Sequence, residues 1–146
     1  MTQRLLVVCT GNICRSPVAA AVLRQYVSDI DVTSAGLHAV VGRGIDPESA
    51  AAAQAQGIAL DAHIARQFTD ELGRDVDMIL VMENSHRHEI MARWPHLGGK
   101  TFLLGYFEDG KEIPDPYRRG KAMHLHMVGL VVESVRHWAK QLERLK

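Results

Sequence analysis

The sequence predicts an α/β fold, in which one three-layer domain has a four-stranded parallel sheet with helices on both faces. Three short apolar runs lack polar alternation, which is typical of strands buried on both faces of a sheet, and a shorter, weaker run is the candidate for a fourth strand. Helical patterns lie between these runs, and strands that alternate with helices predict parallel pairing with right-handed crossovers. The 146 residues contain no internal repeat and no Pro/Gly/Ser-rich linker. We therefore expect a single domain over residues 1–146.

The predicted strands cover residues 5–8, 32–34, 78–82 and 101–104. Three of them are continuous runs of large apolar side chains, and the run at 32–34 is shorter and more polar. In sheets of this kind ligands bind beyond the carboxyl ends of the strands. The loop that follows the first run is therefore the first place to look for a site.

The first helix has a start signal at Ser16-Pro17, where the serine hydroxyl is an N-cap candidate and proline suits the first helical position. Val18, Val22 and Tyr26 then recur four residues apart and form one apolar face. The pattern predicts a helix that begins at Ser16 and packs against the sheet.

Three further helices follow. Asp46-Pro47 repeats the start signal, and an alanine-rich helix is expected to stop at Gly57. A helix over residues 85–94 ends at Pro95, and a single apolar stripe over residues 123–145 predicts the last and longest helix.

Composition excludes several classes of protein. Lys and Arg number 17 and Asp and Glu number 17, so the formal net charge is zero, which argues against binding nucleic acid by bulk electrostatics. The apolar runs are far shorter than the roughly 20 residues of a membrane span, so we expect no membrane insertion. The chain enters its first strand after four residues with no signal-peptide pattern, which predicts a cytoplasmic protein. In a reducing compartment, two cysteines indicate reactive thiols rather than a disulfide scaffold.

The loop after the first strand has the features of an anion site. It reads Cys-Thr-Gly-Asn-Ile-Cys-Arg-Ser-Pro from Cys9 to Pro17, and it runs from a strand end into a helix N-terminus. Gly11 allows the loop to curl so that backbone N–H groups point inward, and the helix adds its own free N–H groups. Arg15 offers a planar, permanently charged fork that suits two phosphate oxygens. The residues predicted to bind phosphate are Thr10, Gly11, Asn12, Ile13, Cys14, Arg15 and Ser16.

In such a field the Cys9 thiol is expected to ionise at neutral pH, and a thiolate that faces a bound phosphate is a nucleophile. Ser16 can donate its hydroxyl to the sulfur. The alternative is that Cys9 is an ordinary buried cysteine at a strand end and that Gly11-Asn12 is a turn. Because all these residue types occur together in the order that an anion loop needs, we favour the catalytic interpretation.

From about Arg4 to Leu145 the sequence resembles the low-molecular-weight protein-tyrosine phosphatases. The motifs that carry the resemblance are the nine-residue loop, Ser34-Ala35-Gly36, His63-Ile64-Ala65-Arg66-Gln67 and Ile113-Pro114-Asp115-Pro116-Tyr117. It implies that Cys9 is the nucleophile, Arg15 the phosphate clamp and Asp115 the general acid, with a phosphocysteine intermediate and with no metal or other cofactor. Asn12, Ser34 and His63 fall where the family keeps a network that supports the loop. The substrate walls are expected at Leu37, Val40 and Tyr117.

The segment after Gly36 is aliphatic where many eukaryotic relatives have an aromatic residue, and this resembles the bacterial branch associated with exopolysaccharide export. That resemblance implies a phosphotyrosine protein substrate, a membrane-bound tyrosine autokinase. Arg118 and Arg119 directly follow Tyr117, so we expect a basic rim that attracts clustered phosphotyrosines.

Two other functions fit parts of the sequence. An arsenate reductase of the same fold would use a similar thiolate, and a non-catalytic module could bind anions or sense oxidants through Cys9 and Cys14. Asp115 favours an enzyme, since binding alone needs no acid, and Tyr117 favours an aryl phosphate. The pairs His86/His88 and His124/His126 lie in predicted helices, where residues two apart do not face one another. We therefore expect solvated surface histidines and no metal site.

Overall fold

The computed structural model describes residues 2–145 and confirms the α/β class, with a parallel sheet covered on both faces. The four strands are β1 (Gln3–Cys9), β2 (Ile30–Gly36), β3 (Met78–Val81) and β4 (Thr101–Leu103). Their order in the sheet is β2-β1-β3-β4, and every neighbouring pair is parallel. The carboxyl ends of β1, β2 and β3 therefore lie side by side at one edge.

Within residues 2–145, five α-helices pack around this sheet: α1 (Arg15–Tyr26), α2 (Pro47–Ala55), α3 (Asp70–Arg74), α4 (Asn84–Arg93) and α5 (Lys121–Arg144). A 3₁₀ helix, Pro95–Lys100, joins α4 to β4. The sequence analysis missed α3, because five residues are too few to produce a helical period. Among residues 2–145, no helix combines the length and the apolarity that crossing a bilayer requires.

Successive side chains of β1 pack alternately into two core clusters, one on each face of the sheet. Leu5 and Val7 pack in the larger cluster, which contains the buried faces of α1 and α5, whereas Leu6 and Val8 pack in a smaller cluster with Ile90 of α4. All four side chains are fully buried. β1 is therefore the central support of the fold, and Cys9 at its end has little freedom to move.

The helix boundaries agree with the sequence signals, with one exception. The Asp46 carboxylate accepts hydrogen bonds from the backbone of Glu48 and Ser49, which caps α2 as predicted, and Gly57 follows that helix with a φ of +78°. The N-cap of α1, however, is Cys14, and Ser16 lies inside the helix. The prediction that Ser16 is an N-cap was wrong because its hydroxyl is bound to other side chains.

Candidate active site

Cys9 ends β1 with its sulfur 3.0 Å from the Ser16 hydroxyl, and both side chains are buried. Ser16 Oγ also accepts a hydrogen bond of 2.7 Å from the Asn12 amide. With that acceptor position filled, the hydroxyl hydrogen is free to point at the sulfur. The serine is therefore placed to donate to a thiolate.

The loop after β1 is held by its carbonyl groups. The carbonyls of Cys9, Thr10 and Gly11 accept hydrogen bonds of 3.0 Å each from the segment after β2, and that of Ile13 accepts one of 2.8 Å from Asp46. The described residues contain no cis peptide, and in a trans peptide the N–H points opposite to the carbonyl. The N–H groups that follow these carbonyls are therefore turned away from the anchoring segments.

Asn12 is the centre of the supporting network. Its backbone is in the left-handed region, with a φ of 60°, and its amide donates to the Ser34 hydroxyl at 3.0 Å. Its side-chain oxygen accepts from the Arg66 backbone at 3.0 Å, and its carbonyl accepts from His63 Nε2 at 2.7 Å. The structure thus brings together Asn12, Ser34 and His63, the three residues that the sequence analysis named for loop support.

Gly36 lets β2 approach this loop closely. A Cβ placed on Gly36 would lie 2.4 Å from the Thr10 carbonyl oxygen, nearer than real Cβ contacts come. Only glycine fits without moving the loop backbone. This contact explains the glycine in the Ser-Ala-Gly motif.

Arg15 is 2% exposed and is held by partners on both sides of its guanidinium group. Nη1 donates to a Glu83 carboxylate oxygen and, at 2.9 Å, to the Ile113 carbonyl, and Nη2 is 3.4 Å from Thr10 Oγ1. A buried cation needs a counter-charge, and Glu83 supplies it. Glu83 was not predicted from the sequence, although it directly follows a run predicted to be a strand, at the edge where ligands bind.

His86 was predicted to be a solvated surface residue, and this was wrong: it is buried, and only its neighbour His88 is exposed. Its Nδ1 accepts from the Glu83 backbone N–H at 3.1 Å, so the ring proton is on Nε2, 2.9 Å from Thr10 Oγ1. Burial, and secondarily the Arg15 charge, lower the pKa of His86 from 6.5 to about 4. The ring is therefore a neutral donor to the loop.

Asp115 lies at the mouth of the cavity, in the segment before α5. Its carboxylate is 50% exposed and 3.9 Å from Arg15 Nη2, and it accepts a hydrogen bond of 3.1 Å from the Tyr117 backbone. Pro116 lies between the two and restricts the backbone of this turn. The arrangement places an acid and an aromatic ring on the same side of the opening.

The cavity has a volume of about 180 Å³. It is lined by Cys9, Thr10, Gly11, Ile13, Cys14, Arg15, His38, Val40, Asp115 and Tyr117. Leu37 was predicted to be a wall, but its side chain is buried in the smaller core cluster, because the chain at that point still runs against the sheet. His38, which the sequence analysis did not name, lies along the cavity instead.

Cys14 belongs to the cavity wall on one side and to a buried polar cluster on the other. Burial raises the pKa of the Cys14 thiol to about 12, and a hydrogen bond with the Ser49 side chain opposes this rise. Ser49 Oγ is also 2.7 Å from Nδ1 of His124, a buried residue that the sequence analysis placed on the surface together with the exposed His126. Cys14, Asp46 and His124 are spaced as metal ligands can be.

Arg118 and Arg119 are both exposed beside the opening, in the turn that precedes α5. The Arg118 guanidinium carbon is 5.1 Å from the centroid of the Tyr117 ring. Arg118 thus borders the aromatic wall, and Arg119 follows it as a second exposed cation.

Comparison with known proteins gives a consistent match. Residues 4–146 match the family model described as low molecular weight phosphotyrosine protein phosphatase. The chain is 41% identical over 140 residues to the low molecular weight protein-tyrosine-phosphatase Etp of Escherichia coli, covering 96% of this chain and 95% of Etp. The solved structure of the tyrosine phosphatase Wzb from Escherichia coli, in complex with sulphate, has a TM-score of 0.93 and 39% identity over 97% of this chain and 99% of the other. The YwlE arginine phosphatase from Geobacillus stearothermophilus has a TM-score of 0.90 and 30% identity over 97% and 94%.

Proposed function

Because this chain belongs to the low molecular weight phosphotyrosine protein phosphatase family and is an enzyme of that class, we propose that it hydrolyses phosphotyrosine through a phosphocysteine at Cys9. The observation that carries the proposal is the convergence of Cys9, Arg15, Asp115 and Tyr117 on one cavity. A nucleophile, a phosphate clamp, an acid and a flat apolar wall are what an aryl phosphate monoester requires.

In the first step the Cys9 thiolate attacks phosphorus, an S–P bond forms, and the P–O bond to the phenol breaks. Asp115 gives its proton to the departing phenoxide, and Arg15 with the loop N–H groups stabilises the equatorial oxygens. In the second step the Asp115 carboxylate takes a proton from water, the water oxygen attacks phosphorus, and the thiolate leaves. The Ser16 hydroxyl, 3.0 Å from the sulfur, stabilises the thiolate in both steps.

The experiment that tests this mechanism traps the intermediate. Acid quenching during turnover of p-nitrophenyl phosphate should give protein that carries one phosphoryl group, which peptide mass spectrometry should locate on Cys9. Cys9→Ser should bind phosphate but show no turnover, because a serine hydroxyl is not ionised at neutral pH. Turnover by Cys9→Ser within about tenfold of the parent would refute the assignment of the nucleophile.

The substrate class is tested in parallel. The aromatic ring of Tyr117 and the aliphatic Val40 favour a phosphorylated phenol, so kcat/KM should be higher for a phosphotyrosine peptide than for the matching phosphoserine or phosphoarginine peptide. A preference for phosphoarginine would instead give this site the activity named for its structural neighbour YwlE. Reduction of arsenate by the protein with an added thiol, without peptide hydrolysis, would establish an arsenate reductase.

For the physiological substrate we propose a membrane-bound tyrosine autokinase of exopolysaccharide export, with clustered tyrosines in its cytoplasmic tail. The support is the aliphatic segment after Gly36, which resembles the exopolysaccharide-associated bacterial branch, the similarity to the bacterial phosphatases Etp and Wzb, and the exposed Arg118 and Arg119 at the rim. A tail with several phosphotyrosines is strongly negative, so it is attracted to this rim while one phosphotyrosine enters the cavity.

The docking proposal is tested by reversing the rim charge. Arg118→Glu/Arg119→Glu should raise KM for a multiply phosphorylated peptide and make it less dependent on salt, while p-nitrophenyl phosphate hydrolysis stays nearly unchanged. The matched control is Lys140→Glu/Arg144→Glu, which makes the same change in net charge about 30 Å further along α5. Equal effects of the two double variants on the peptide, or equal effects of the rim variant on both substrates, would contradict docking at the rim.

A further inference from the structure

Behind the phosphate loop, three side chains of metal-binding type meet, each from a different element. Cys14 precedes α1, Asp46 caps α2, and His124 lies in the first turn of α5. The Cys14 sulfur, the His124 ring nitrogen and one Asp46 oxygen all lie within 4.8 Å of one another, and Nδ1 of His124 is 4.0 Å from Asp46 Oδ1. Cys14 and His124 are buried, and the Asp46 side chain is only 17% exposed.

The donor set and its spacing suit a tetrahedral ion. Zinc binds sulfur at about 2.3 Å and nitrogen or oxygen at about 2.0–2.2 Å, so its ligand atoms lie about 3.5 Å apart. The present separations are at most 4.8 Å, so they need to contract by no more than about 1.3 Å. Thiolate and imidazole ligands favour Zn²⁺ over Mg²⁺ or Ca²⁺, which prefer oxygen atoms.

Ser49 now occupies the position between these ligands. Its hydroxyl is hydrogen-bonded to Nδ1 of His124 at 2.7 Å and to the Cys14 side chain. A bound ion replaces the serine as the partner of both atoms. Asp46 keeps its capping bonds to α2, because a carboxylate has further lone pairs for a metal.

We propose that Cys14, Asp46 and His124 form a zinc site that inhibits the enzyme when it is occupied. Coordination forms an S–Zn bond and releases the thiol proton to solvent, with no change of oxidation state. The ion lies on the buried side of Cys14, whose other side lines the cavity, and water supplies the fourth ligand. A dication there stabilises the Cys9 thiolate and so lowers its reactivity.

The binding step is tested without relying on catalysis. Cys9→Ser protein, which lacks the other thiol, is titrated with Co²⁺ as a spectroscopic substitute for Zn²⁺. We expect a thiolate-to-cobalt charge-transfer band and the visible absorption of tetrahedral cobalt, both abolished by Zn²⁺. Adding His124→Gln should raise the Kd by at least about tenfold, and the matched control His126→Gln, an exposed residue on the same helix, should leave it unchanged.

Asp46→Asn is the second variant, because an asparagine oxygen still caps α2 but is a weaker metal ligand. Thermal unfolding checks that each variant is folded. If His124→Gln is not folded, the Kd of Asp46→Asn decides the result. Absence of the charge-transfer band, or equal Kd values for His124→Gln and His126→Gln, would overturn the site.

The inhibitory effect rests on the proposed phosphatase activity, whereas the cobalt titration does not, so the two can fail separately. In the protein with Cys9 intact, Zn²⁺ should inhibit p-nitrophenyl phosphate hydrolysis. His124→Gln should keep the basal rate and require at least about tenfold more Zn²⁺ for the same inhibition. Equal inhibition of the parent and His124→Gln would mean that zinc acts at Cys9 instead.

Discussion

Buried neutral His86 should make the stability of this protein depend on pH in a defined window. The pKa of His86 is about 4 in the folded protein and about 6.5 in an unfolded chain, so folding favours the neutral ring. Below pH 6.5 the unfolded chain binds a proton that the native state does not, so acidification favours unfolding. The contribution of neutral His86 to stability is therefore complete above pH 6.5 and is lost by about pH 4. Over that window the loss is about 3 kcal/mol.

The perturbation that isolates this effect is His86→Gln, since glutamine keeps an N–H donor for Thr10 but does not titrate. The free energy of unfolding is measured by urea denaturation at several values between about pH 7 and about pH 4. The parent should lose about 3 kcal/mol more stability over this range than His86→Gln loses. At neutral pH the variant is expected to be somewhat less stable than the parent, because the Nδ1 acceptor of the Glu83 N–H is removed.

The control is His88→Gln on the same helix, which removes an exposed imidazole and should leave the parent's pH dependence unchanged. If His86→Gln and His88→Gln lose equal stability on acidification, the reasoning from burial is refuted. Saturating phosphate offers an independent check, since a bound dianion offsets the Arg15 charge that helps to lower the pKa of His86. An NMR titration of the ring should then give a higher pKa with phosphate than without it.

Two variants of the cavity give further predictions. Arg15→Lys should lower kcat/KM by about a hundredfold or more, because a point charge cannot reproduce the fork that bridges Glu83, the Ile113 carbonyl and a phosphate. A loss of less than about tenfold in steady-state assays would assign most of the stabilisation to the loop N–H groups. Asp115→Asn should slow turnover by about 10²–10⁴-fold for aryl phosphates with poor leaving groups and much less for p-nitrophenyl phosphate. If the loss across a series of substituted phenyl phosphates is independent of the leaving-group pKa, Asp115 is not the acid.

The sheet could be predicted because its strands are buried on both faces. Leu5, Leu6, Val7 and Val8 are all fully buried, so the sequence shows an uninterrupted apolar run, and β3 follows the same rule over four residues. β2 is more polar and only partly buried, which is why its signal was weaker. The loop string was equally informative, since Asn12 with a φ of 60° adopts a conformation that few residue types tolerate. Where burial or backbone geometry restricts the residue type at one position, the sequence alone is sufficient to predict the local structure.

The errors occurred where a side chain's role depends on a partner far away in the chain. Ser16 is the exception, since its hydroxyl is bound to Cys9 and Asn12 in its own loop rather than to the helix backbone. His124 resembles a surface residue until α2 brings Ser49 against it, 75 positions away. Leu37 follows a strand and was expected at the opening of the cavity, but its side chain packs in the smaller core cluster. Local patterns contain no information on such contacts.

Glu83 and His86 illustrate a physical rule by which some of these distant contacts could be predicted. An arginine that clamps phosphate must be charged when no phosphate is bound, and Arg15 is almost fully buried. An unpaired buried charge costs several kcal/mol, so a permanent carboxylate partner is required before any ligand arrives. That partner must leave part of the guanidinium facing the cavity, and Glu83 does so by binding Nη1, while Nη2 lies toward Thr10 and Asp115. A buried arginine that clamps phosphate therefore implies an acid at the end of an adjacent strand. His86 connects that acid to the loop, because it accepts the Glu83 backbone N–H and lies within hydrogen-bonding distance of Thr10.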